Sequence, residues 1–446
     1  MFEDYKNNEK EVDILMSLKK FITDMLNIDV NLIESIESSE TVDDSVKVEI
    51  ILNRSLFNCP ICNGPLKSHG YTNRKLIHST LANRKCIIIY RQRRLKCSKC
   101  ELTLSEKNPF GSQKENLTYE TKSNILKDLK YHASTYTAVA KRYNVSPTQV
   151  LRLFDRHVNI PRKSLPEVLS IDEHYFPASN FDSVYCCILM NFNTGEITDV
   201  LPDRKNDYLK KYFNDIKNQT YNMTTHISEL NNVKYVSIDL YDNYRTISKL
   251  FFPNATICAD SFHVLENLAK FFKDVRVRCR KNTEDENMKY LLTKFKYVFH
   301  HDTNLDNEAK YNKRFKRYLN LRQILEMMLD QFPDLKIAYY LKEEYIYFNE
   351  TASVETASER LNQLIQAFGN SNIEEYIEFY NLLINWYDEI INSFTIYNGR
   401  RINNSYIESR NKKIDVLMFN ANGFINFKRT RNRIIYCINK NDTYKL

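Results

Sequence analysis

Four cysteines arranged as two C-x-x-C pairs constrain this sequence more than any other feature. Cys59 and Cys62 form the first pair, and Cys97 and Cys100 form the second. Two residues between cysteines let both thiolates of one turn face the same ion, and two such turns complete a tetrahedron around zinc. The spacer is longer than usual, but residues 86–97 read as a strand that can bring the second turn back to the first. We therefore predict one structural Zn²⁺; four unrelated thiols are the alternative.

Positive charge surrounds the cysteine pairs. Residues 51–165 contain 22 basic and 6 acidic residues, and residues 396–446 contain 11 and 3, whereas residues 1–50 contain 5 and 13. Two basic segments, one of them with a metal-binding pattern inside it, indicate binding to the phosphates of nucleic acid, and a solvated charged face is the alternative. Alternate residues of a strand share one face. Beside the second cysteine pair we expect phosphate contacts from Arg91, Arg93 and Arg94.

Residues 134–156, STYTAVAKRYNVSPTQVLRLFDR, have the pattern of a helix-turn-helix. Val139 and Ala140 would give the first helix its buried face, with the turn at Asn144. Ser146 is a good N-cap for the second helix, and a proline is compatible with a first helical turn. A recognition helix presents its polar side chains to DNA; these would be Thr148, Gln149, Arg152 and Arg156. A generic two-helix hairpin is the alternative.

Two aspartates follow short apolar segments that read as strands. Asp172 follows VLSI and Asp239 follows VKYVSI. In an open sheet, chemistry gathers at the carboxyl ends of strands, and two neighbouring carboxylates repel each other unless a cation lies between them. Mg²⁺ or Mn²⁺ prefers such oxygen ligands. Glu173, Asp242 and Asp260 compete for the same roles, and position alone does not separate them.

A third carboxylate is expected from elsewhere in the chain. Glu408 lies on a polar segment, NNSYIESRNKKID, that reads as a helix. Arg410, Lys412 and Lys413 surround it, and we expect these three residues to contact the DNA backbone. A metal-binding glutamate beside a DNA backbone would suit this position.

The order of elements from residue 168 onward indicates the class of fold. Three segments read as hairpin-forming strands, with a turn at residues 193–195, and two further strands alternate with helices. This is the order of an RNase H-like sheet. Residues 262–395 read as helical and contain Trp386, the only tryptophan of the chain.

Several motifs resemble the ISL-three family of insertion-sequence transposases, within the DDE superfamily. The likeness runs nearly end to end and includes CPIC, CSKC and LSIDE. It is strongest in VSIDLYDNYRTISKLFFPNATICADSFHVLENL (236–268) and NSYIESRNKKIDVLMFNANGFINFKRTRNRI (404–434), where Gly423 and Phe424 fill part of the family pattern. Where the family usually has Lys, Arg and Gly, residues 414–420 read IDVLMFN, which removes basic charge near Glu408.

The resemblance implies roles for individual residues. Asp172, Asp239 and Glu408 would be the catalytic acids that hold Mg²⁺, and Asp260 and His263 would be auxiliary. The family carries a helical insertion before its last catalytic helix. Trp386 lies in that insertion, where it would be a core residue or, as in related transposases, would stack on a flipped base.

The implied activity is metal-dependent cleavage and strand transfer by the transposase of a bacterial insertion sequence. The zinc module and the helix-turn-helix would bind terminal inverted repeats in double-stranded DNA, and target DNA would be the second substrate. Synapsis of two ends implies a homodimer or a higher oligomer. We expect a cytoplasmic, nucleoid-associated protein without membrane contact, because no apolar run approaches the roughly 18 residues of a membrane span. The alternatives are a catalytically inactive or domesticated DNA-binding protein and a structure-specific nuclease.

The predicted fold is a multidomain α+β protein. Its N-terminal zinc-binding β module and helix-turn-helix precede an RNase H-like α/β catalytic domain with a large all-helical insertion. The predicted divisions are 1–58 (N-terminal helix and lead-in strand), 59–110 (zinc module), 119–160 (helix-turn-helix), 166–269 (first part of the catalytic core), 270–395 (insertion) and 396–446 (last catalytic helix and basic tail).

Overall fold

The chain forms two compact units. The computed structural model describes residues 19–21, 23–24, 26–40, 45–81, 84–113, 115–176, 183–421 and 426–446. Unit 1 contains residues up to 161 together with 413–446, and unit 2 contains residues 162–412. The segment predicted as 396–446 is therefore divided, because its basic end clusters with the N-terminal unit. Most of the predicted N-terminal helix, and also Gly423 and Phe424, lie outside the described residues.

A five-stranded sheet forms the β part of unit 1. β3 and β4 make a long antiparallel hairpin, β2 pairs with β4 in parallel, β1 lies outside β2, and β5 pairs with the end of β4. Alternate residues of β2 and β4, Val48, Ile50 and Ile88 among them, are buried in one apolar cluster. The strands are β1 Ile33–Glu40, β2 Ser45–Leu52, β3 Leu66–Leu81, β4 Arg84–Cys97 and β5 Thr103–Ser105.

Four helices that the structure describes in full lie within unit 1. Thr118, Thr135 and Ser146 cap the first three, each by accepting a hydrogen bond from the backbone amide three residues on. The fourth comes from the C-terminal segment, and its Arg433, which is only 2% exposed, donates to the carbonyl of Ser134 at 2.8 Å. The helices are α1 Tyr119–Asp128, α2 Tyr136–Arg142, α3 Pro147–His157 and α14 Phe427–Ile438. Residues up to 161 without the C-terminal segment would therefore lack a helix of the core of unit 1.

A second five-stranded sheet lies in unit 2, in the order β10-β9-β6-β7-β8. The first three strands in the chain are antiparallel, whereas β9 and β10 add in parallel on the other side of β6. The turn between β7 and β8 is the predicted one, with Gly195 at a φ of +64°. The strands are β6 Val168–Tyr175, β7 Tyr185–Asn191, β8 Ile197–Leu201, β9 Tyr235–Ile238 and β10 Thr256–Ala259.

The strand that carries Asp172 is longer than predicted. Asp239 does follow the end of its strand, but β6 continues to Tyr175 because its antiparallel pairing with β7 extends past Asp172. The parallel pairing of β6 with β9 ends at Ile171. Asp172 thus lies directly after the last residue of β6 that pairs with β9. This position keeps it next to Asp239, although β6 itself continues along β7.

Helices fill most of the rest of unit 2, and one small hairpin interrupts them. The hairpin strands are β11 Lys310–Asn312 and β12 Arg317–Leu319, which departs from the all-helical insertion predicted from the sequence. The last short strands are β13 Ile396–Tyr397 and β14 Arg400–Arg401. The helices are α4 Asn206–Thr220, α5 Asp242–Phe251, α6 Ser261–Asn282, α7 Glu286–Lys294, α8 Leu321–Gln331, α9 Pro333–Thr351, α10 Val354–Gly369, α11 Glu374–Asn385, α12 Tyr387–Asn392 and α13 Ser405–Ala421, the last of which continues into unit 1.

Trp386 belongs to the apolar core of unit 2 and is 4% exposed. The guanidinium of Arg245 lies 4.1 Å from the centre of its ring. A tryptophan packed in this way fits the core interpretation made from the sequence. Among the residues that the structure describes, no helix is long and apolar enough to cross a membrane.

Candidate metal centres

The four predicted cysteines converge in unit 1. Their Sγ atoms all lie within 4.8 Å of one another, with Cys59 3.7 Å from Cys100 and Cys62 3.5 Å from Cys97. A tetrahedron with Zn–S bonds of about 2.3 Å has edges of roughly 3.8 Å. The cysteine cluster therefore suggests zinc, and with four protein ligands the site is closed and structural.

The two turns that carry these cysteines have the same backbone geometry. The fifth residue of each turn, Asn63 or Glu101, adopts a positive φ of 53° or 59°. The amide of that residue donates to the carbonyl of the first cysteine, at 2.9 Å in one turn and 3.1 Å in the other. Both turns thereby point their thiols to the same side.

Backbone amides also favour the thiolate form. The N–H groups of Lys99 and Cys100 donate to Cys97 Sγ at 3.3 and 3.4 Å. The hydrogen bond from Cys100 is the main reason that the pKa of Cys97 falls to about 6, and amide hydrogen bonds lower the pKa of Cys59 as well. A thiolate is the form that binds a metal. By contrast, burial raises the pKa of the Cys86 thiol, which lies outside the cluster, to about 11.

The arginines beside the second pair do not form one exposed surface. Arg91 and Arg93 do share a face, since both lie over the ring of Tyr71. However, Arg93 is 6% exposed and pairs with Glu34 at 2.6 Å, so the positive charge of Arg93 is neutralised within the sheet. Arg91 pairs with Glu49 at 3.2 Å, and Arg94 is exposed. Of the three predicted phosphate contacts, Arg94 remains accessible and Arg93 does not.

The predicted recognition residues on α3 differ in whether their side chains already make hydrogen bonds or ion pairs within the chain. Thr148 and Arg152 are exposed, whereas the side chain of Gln149 accepts a hydrogen bond from the Ser146 amide at 3.1 Å and so closes a capping box. Arg156 forms an ion pair with Glu115. Thr148 and Arg152 are therefore better placed than the other two for contacts outside the chain.

Asp172, Asp239 and His263 form a cluster in unit 2. One ligand atom from each lies within 4.8 Å of the others, and His263 Nε2 is 3.0 Å from Asp239 Oδ1. Asp239 follows β9, and His263 lies in the first turn of α6, directly after β10. The parallel pairing of β6, β9 and β10 brings residues far apart in sequence to one edge of the sheet.

The electrostatics of this cluster fit a cation. Burial and the neighbouring Asp239 raise the pKa of Asp172 to about 9. Burial lowers the pKa of His263, but the hydrogen bond to Asp239 and the charges of Asp260 and Asp172 outweigh it and bring the value to about 10. Without metal, protons on Asp172 and His263 therefore balance the charge of the cluster, and a divalent cation would take the place of those protons. Carboxylate oxygens are the ligands that hard divalent cations prefer.

Two asparagines orient the aspartates. Asn404 Nδ2 donates to Asp239 Oδ1 at 3.1 Å and to the carbonyl of Ile171 at 3.3 Å, and Asn411 Nδ2 donates to Asp172 Oδ2 at 2.9 Å. The amide oxygens of both asparagines are buried and have no hydrogen-bond partner among the described residues. Neither asparagine was among the predicted site residues, although both belong to the family-like segment of residues 404–434.

Asp260 caps the helix that carries His263. Its Oδ1 accepts from the amides of Phe262 and Asn404, each at 3.4 Å, and its Oδ2 is buried with no hydrogen-bond partner in the part of the chain that the structure describes. Burial and the nearby Asp239 raise its pKa to about 6. Both predicted auxiliary residues therefore lie at the cluster. His263 contacts Asp239 directly, and Asp260 caps the helix that carries His263.

Glu408 lies in the first turn of α13, between Asn404 and Asn411 in the sequence. It is half-buried, and burial raises the pKa of its carboxyl, with smaller effects from His263 and Asp239. Arg410 donates from Nε to the carbonyl of Gly195 at 3.1 Å, and Lys412 is exposed. Lys413 belongs to unit 1.

The family of the chain is shown by comparison with known proteins. The profile of the ISL-three DDE family, described as "Transposase", matches residues 169–434, which is more than half of the chain. The chain belongs to this transposase family. A comparison with curated proteins gave no match.

Proposed function

We propose that this transposase cleaves DNA at the ends of an insertion sequence and joins the freed strands to a target. The observation that carries the proposal is the cluster of Asp172, Asp239 and His263, with Asn404 and Asn411 bonded to the two aspartates. The strand order β10-β9-β6-β7-β8 supports an RNase H-like core. The family match over residues 169–434 supports nucleic acid as the substrate.

In this proposal Asp172, Asp239 and Glu408 hold Mg²⁺ or Mn²⁺. When bound, a metal pair supplies an activated hydroxyl nucleophile and stabilises the leaving oxygen of the phosphodiester. Asn404 and Asn411 fix the orientation of the aspartates by donating to one oxygen of each, which leaves the other lone pairs available. His263 holds Asp239 on the side of α6, and Arg410 and Lys412 provide positive charge for DNA phosphates.

Unit 1 would supply the sequence preference. Its zinc module and the α2–α3 pair, acting as a helix-turn-helix, would contact the terminal inverted repeats. Thr148 and Arg152 are the proposed base contacts and Arg94 a phosphate contact, because these three side chains are exposed. Base contacts specify sequence, whereas phosphate contacts supply affinity. Pairing of two DNA ends would require at least a homodimer.

The test is a cleavage and joining assay on duplexes that carry the inverted repeats flanking the gene. Asp172→Asn should reduce cleavage at least about 10³-fold, because loss of metal-borne charge stabilisation is worth several kcal/mol. DNA binding should be retained. Asp207→Asn, a change of the same kind on the exposed face of α4, is the matched control and should cleave normally. Binding without cleavage by the unmodified protein would favour an inactive DNA-binding protein, and cleavage without joining would favour a nuclease.

A second comparison identifies the third metal ligand. If Glu408 is a ligand, Glu408→Gln should abolish cleavage, and His263→Ala should reduce it less. If His263 is the ligand, the order of the two effects reverses. Titration of each variant with Mn²⁺ gives a readout besides activity, because the variant that has lost a ligand should bind the ion more weakly.

A further inference from the structure

The hairpin Lys310–Leu319, here called the insertion hairpin, is anchored to the core but presents polar and aromatic groups to solvent. Leu319 is 4% exposed and packs in the core of unit 2, and Phe315 packs against it. The amide of Arg314 donates to Asn312 Oδ1 at 3.0 Å, which fixes the turn. Tyr311 and Tyr318 are 54% and 68% exposed. Their ring centres lie 5.4 Å apart across the two strands.

The insertion hairpin carries uncompensated positive charge. Residues 310–317 contain five basic residues and no acidic one, namely Lys310, Lys313, Arg314, Lys316 and Arg317. Throughout the described part of the chain, none of the five has a carboxylate within ion-pair distance. Arg314 instead donates to Asn287 Oδ1 at 2.7 Å and lies over the ring of Tyr290. Other basic side chains of unit 2, such as Arg278 and Arg322, are paired with acids.

A cavity of about 680 Å³ lies against the hairpin. That volume is within the range of about 300–1,000 Å³ typical of ligand sites. Lysines and tyrosines dominate its polar lining, namely Lys294, Lys310, Lys313, Tyr290, Tyr297 and Tyr311. Cations for phosphates thus stand beside aromatic rings of a size to stack on a nucleobase.

We propose that the insertion hairpin and this cavity bind single-stranded DNA, with the basic residues on the phosphates and the tyrosines stacked on bases. Single-strand sites combine a positive groove with aromatic side chains in this way. Duplex DNA is less suited, because its base faces are already covered by neighbouring bases. The inference rests on the proposed function, since strand cleavage frees single-stranded ends.

Fluorescence anisotropy of the full-length protein with labelled oligothymidylate tests the site, with excess unlabelled duplex present to occupy duplex-binding surfaces. Tyr311→Ala/Tyr318→Ala should weaken binding roughly fivefold to a hundredfold, given the usual contribution of a stacked base. Tyr311→Phe/Tyr318→Phe keeps the rings and should bind as the unmodified protein does. Lys310→Ala/Lys313→Ala should lower the slope of log K against log salt by about 1.4, at roughly 0.7 per phosphate contact.

Matched controls use exposed residues elsewhere in unit 2. Tyr340→Ala/Tyr347→Ala and Lys211→Ala/Lys217→Ala should leave binding of oligothymidylate unchanged. Unchanged binding in the insertion-hairpin variants, equal loss on duplex and single strand, or stronger binding of oligouridine would overturn the inference. The assay measures binding alone, so its failure leaves the effect of Asp172→Asn on cleavage standing, and the reverse also holds.

Discussion

The cysteine cluster and the acidic cluster are both arrangements of metal-ligand groups, but they are assembled differently. The four cysteines come from two turns of one backbone geometry, within residues 59–100. The acidic cluster consists of Asp172 in β6, Asp239 after β9 and His263 in α6, which are distributed over residues 172–263. The first site is local and repeats one motif, whereas the second exists only when the sheet of unit 2 is assembled.

The difference predicts opposite effects on stability. A zinc ion with four cysteine ligands has no open position for a substrate. The free energy of metal binding at such a site therefore contributes to folding. Asp172 is buried within 4.8 Å of Asp239, and its pKa is raised to about 9, so without metal the folded protein must take up a proton there at neutral pH. Without metal, the acidic cluster should therefore lower the free energy of unfolding. The cysteine cluster with zinc bound should raise it.

The largest expected effect comes from removing one zinc ligand. Cys97→Ser should release the metal and unfold the module around residues 59–104, because structural zinc in small peptides binds with roughly 10–16 kcal/mol. Elemental analysis measures the zinc, and limited proteolysis locates the unfolded segment. If this variant retained one zinc per chain, Cys97 would not be a required ligand, and the stabilising role assigned to the cysteine cluster would be wrong.

Cys86→Ser provides the matched change at a cysteine outside the cluster. Cys86 is fully buried in β4, so the new hydroxyl should cost about 1–3 kcal/mol. Zinc content should stay the same, which separates loss of a ligand from loss of packing.

In the acidic cluster, the largest effect outside the acids themselves is expected at Asn411. Asn411→Ala removes the 2.9 Å hydrogen bond to Asp172, and loss of such supporting partners typically costs about 10–100-fold in metal affinity or activity. The Mg²⁺ concentration for half-maximal cleavage should rise accordingly. Asn411→Gln, which can restore an amide donor, should recover part of the loss. A lower rate at saturating Mg²⁺ with an unchanged Mg²⁺ dependence would contradict this positioning role.

The sequence sufficed where the determining interactions are local. The C-x-x-C spacing predicted which four thiols meet, and the cap at Ser146 and the turn at Gly195 were both placed correctly. Asp239 was placed at its strand end because an apolar strand followed by an acid is a local signal.

The sequence was insufficient where tertiary contacts decide the outcome. Arg93 has the pattern of an exposed strand residue, but Glu34 from another strand neutralises it in the interior. The strand of Asp172 continues because of β7, which no local signal near Asp172 reveals. The C-terminal helix α14 packs with unit 1 through contacts such as that of Tyr436 with the carbonyl of Leu126. These partners are separated by tens to hundreds of residues, so periodicity could not identify them.

A smaller perturbation of the cysteine cluster is available at Gly64. A Cβ at this position would lie 2.8 Å from Lys99 Cβ and 3.3 Å from Cys97 Sγ, so it would push the two turns apart. Gly64→Ala should cost about 1–3 kcal/mol, as overpacking usually does, and weaken zinc binding in a chelator competition. Gly70→Ala in β3 strains a φ of +89°, but its Cβ would meet no atom of the described residues within 4 Å. It should lower stability and leave zinc affinity unchanged, and equal zinc affinities for both variants would contradict the steric argument.

The smallest expected effect has the opposite sign and is the sharpest test of the comparison. Asp172→Asn replaces a buried acid, which must take up a proton to fold at neutral pH because its pKa is raised to about 9, by a neutral amide that can donate to Asp239. In chelator-treated protein it should stabilise unit 2 by about 1 kcal/mol, or roughly 2–4 °C in melting temperature for a unit of this size. Mg²⁺ should raise the melting temperature of the unmodified protein but not that of the variant, while Asp207→Asn should respond to Mg²⁺ as the unmodified protein does. A chelator-treated Asp172→Asn variant that melts below the unmodified protein would mean that the acidic cluster stabilises the fold without metal. The contrast with the cysteine cluster would then fail, because both clusters would contribute to folding in the same direction.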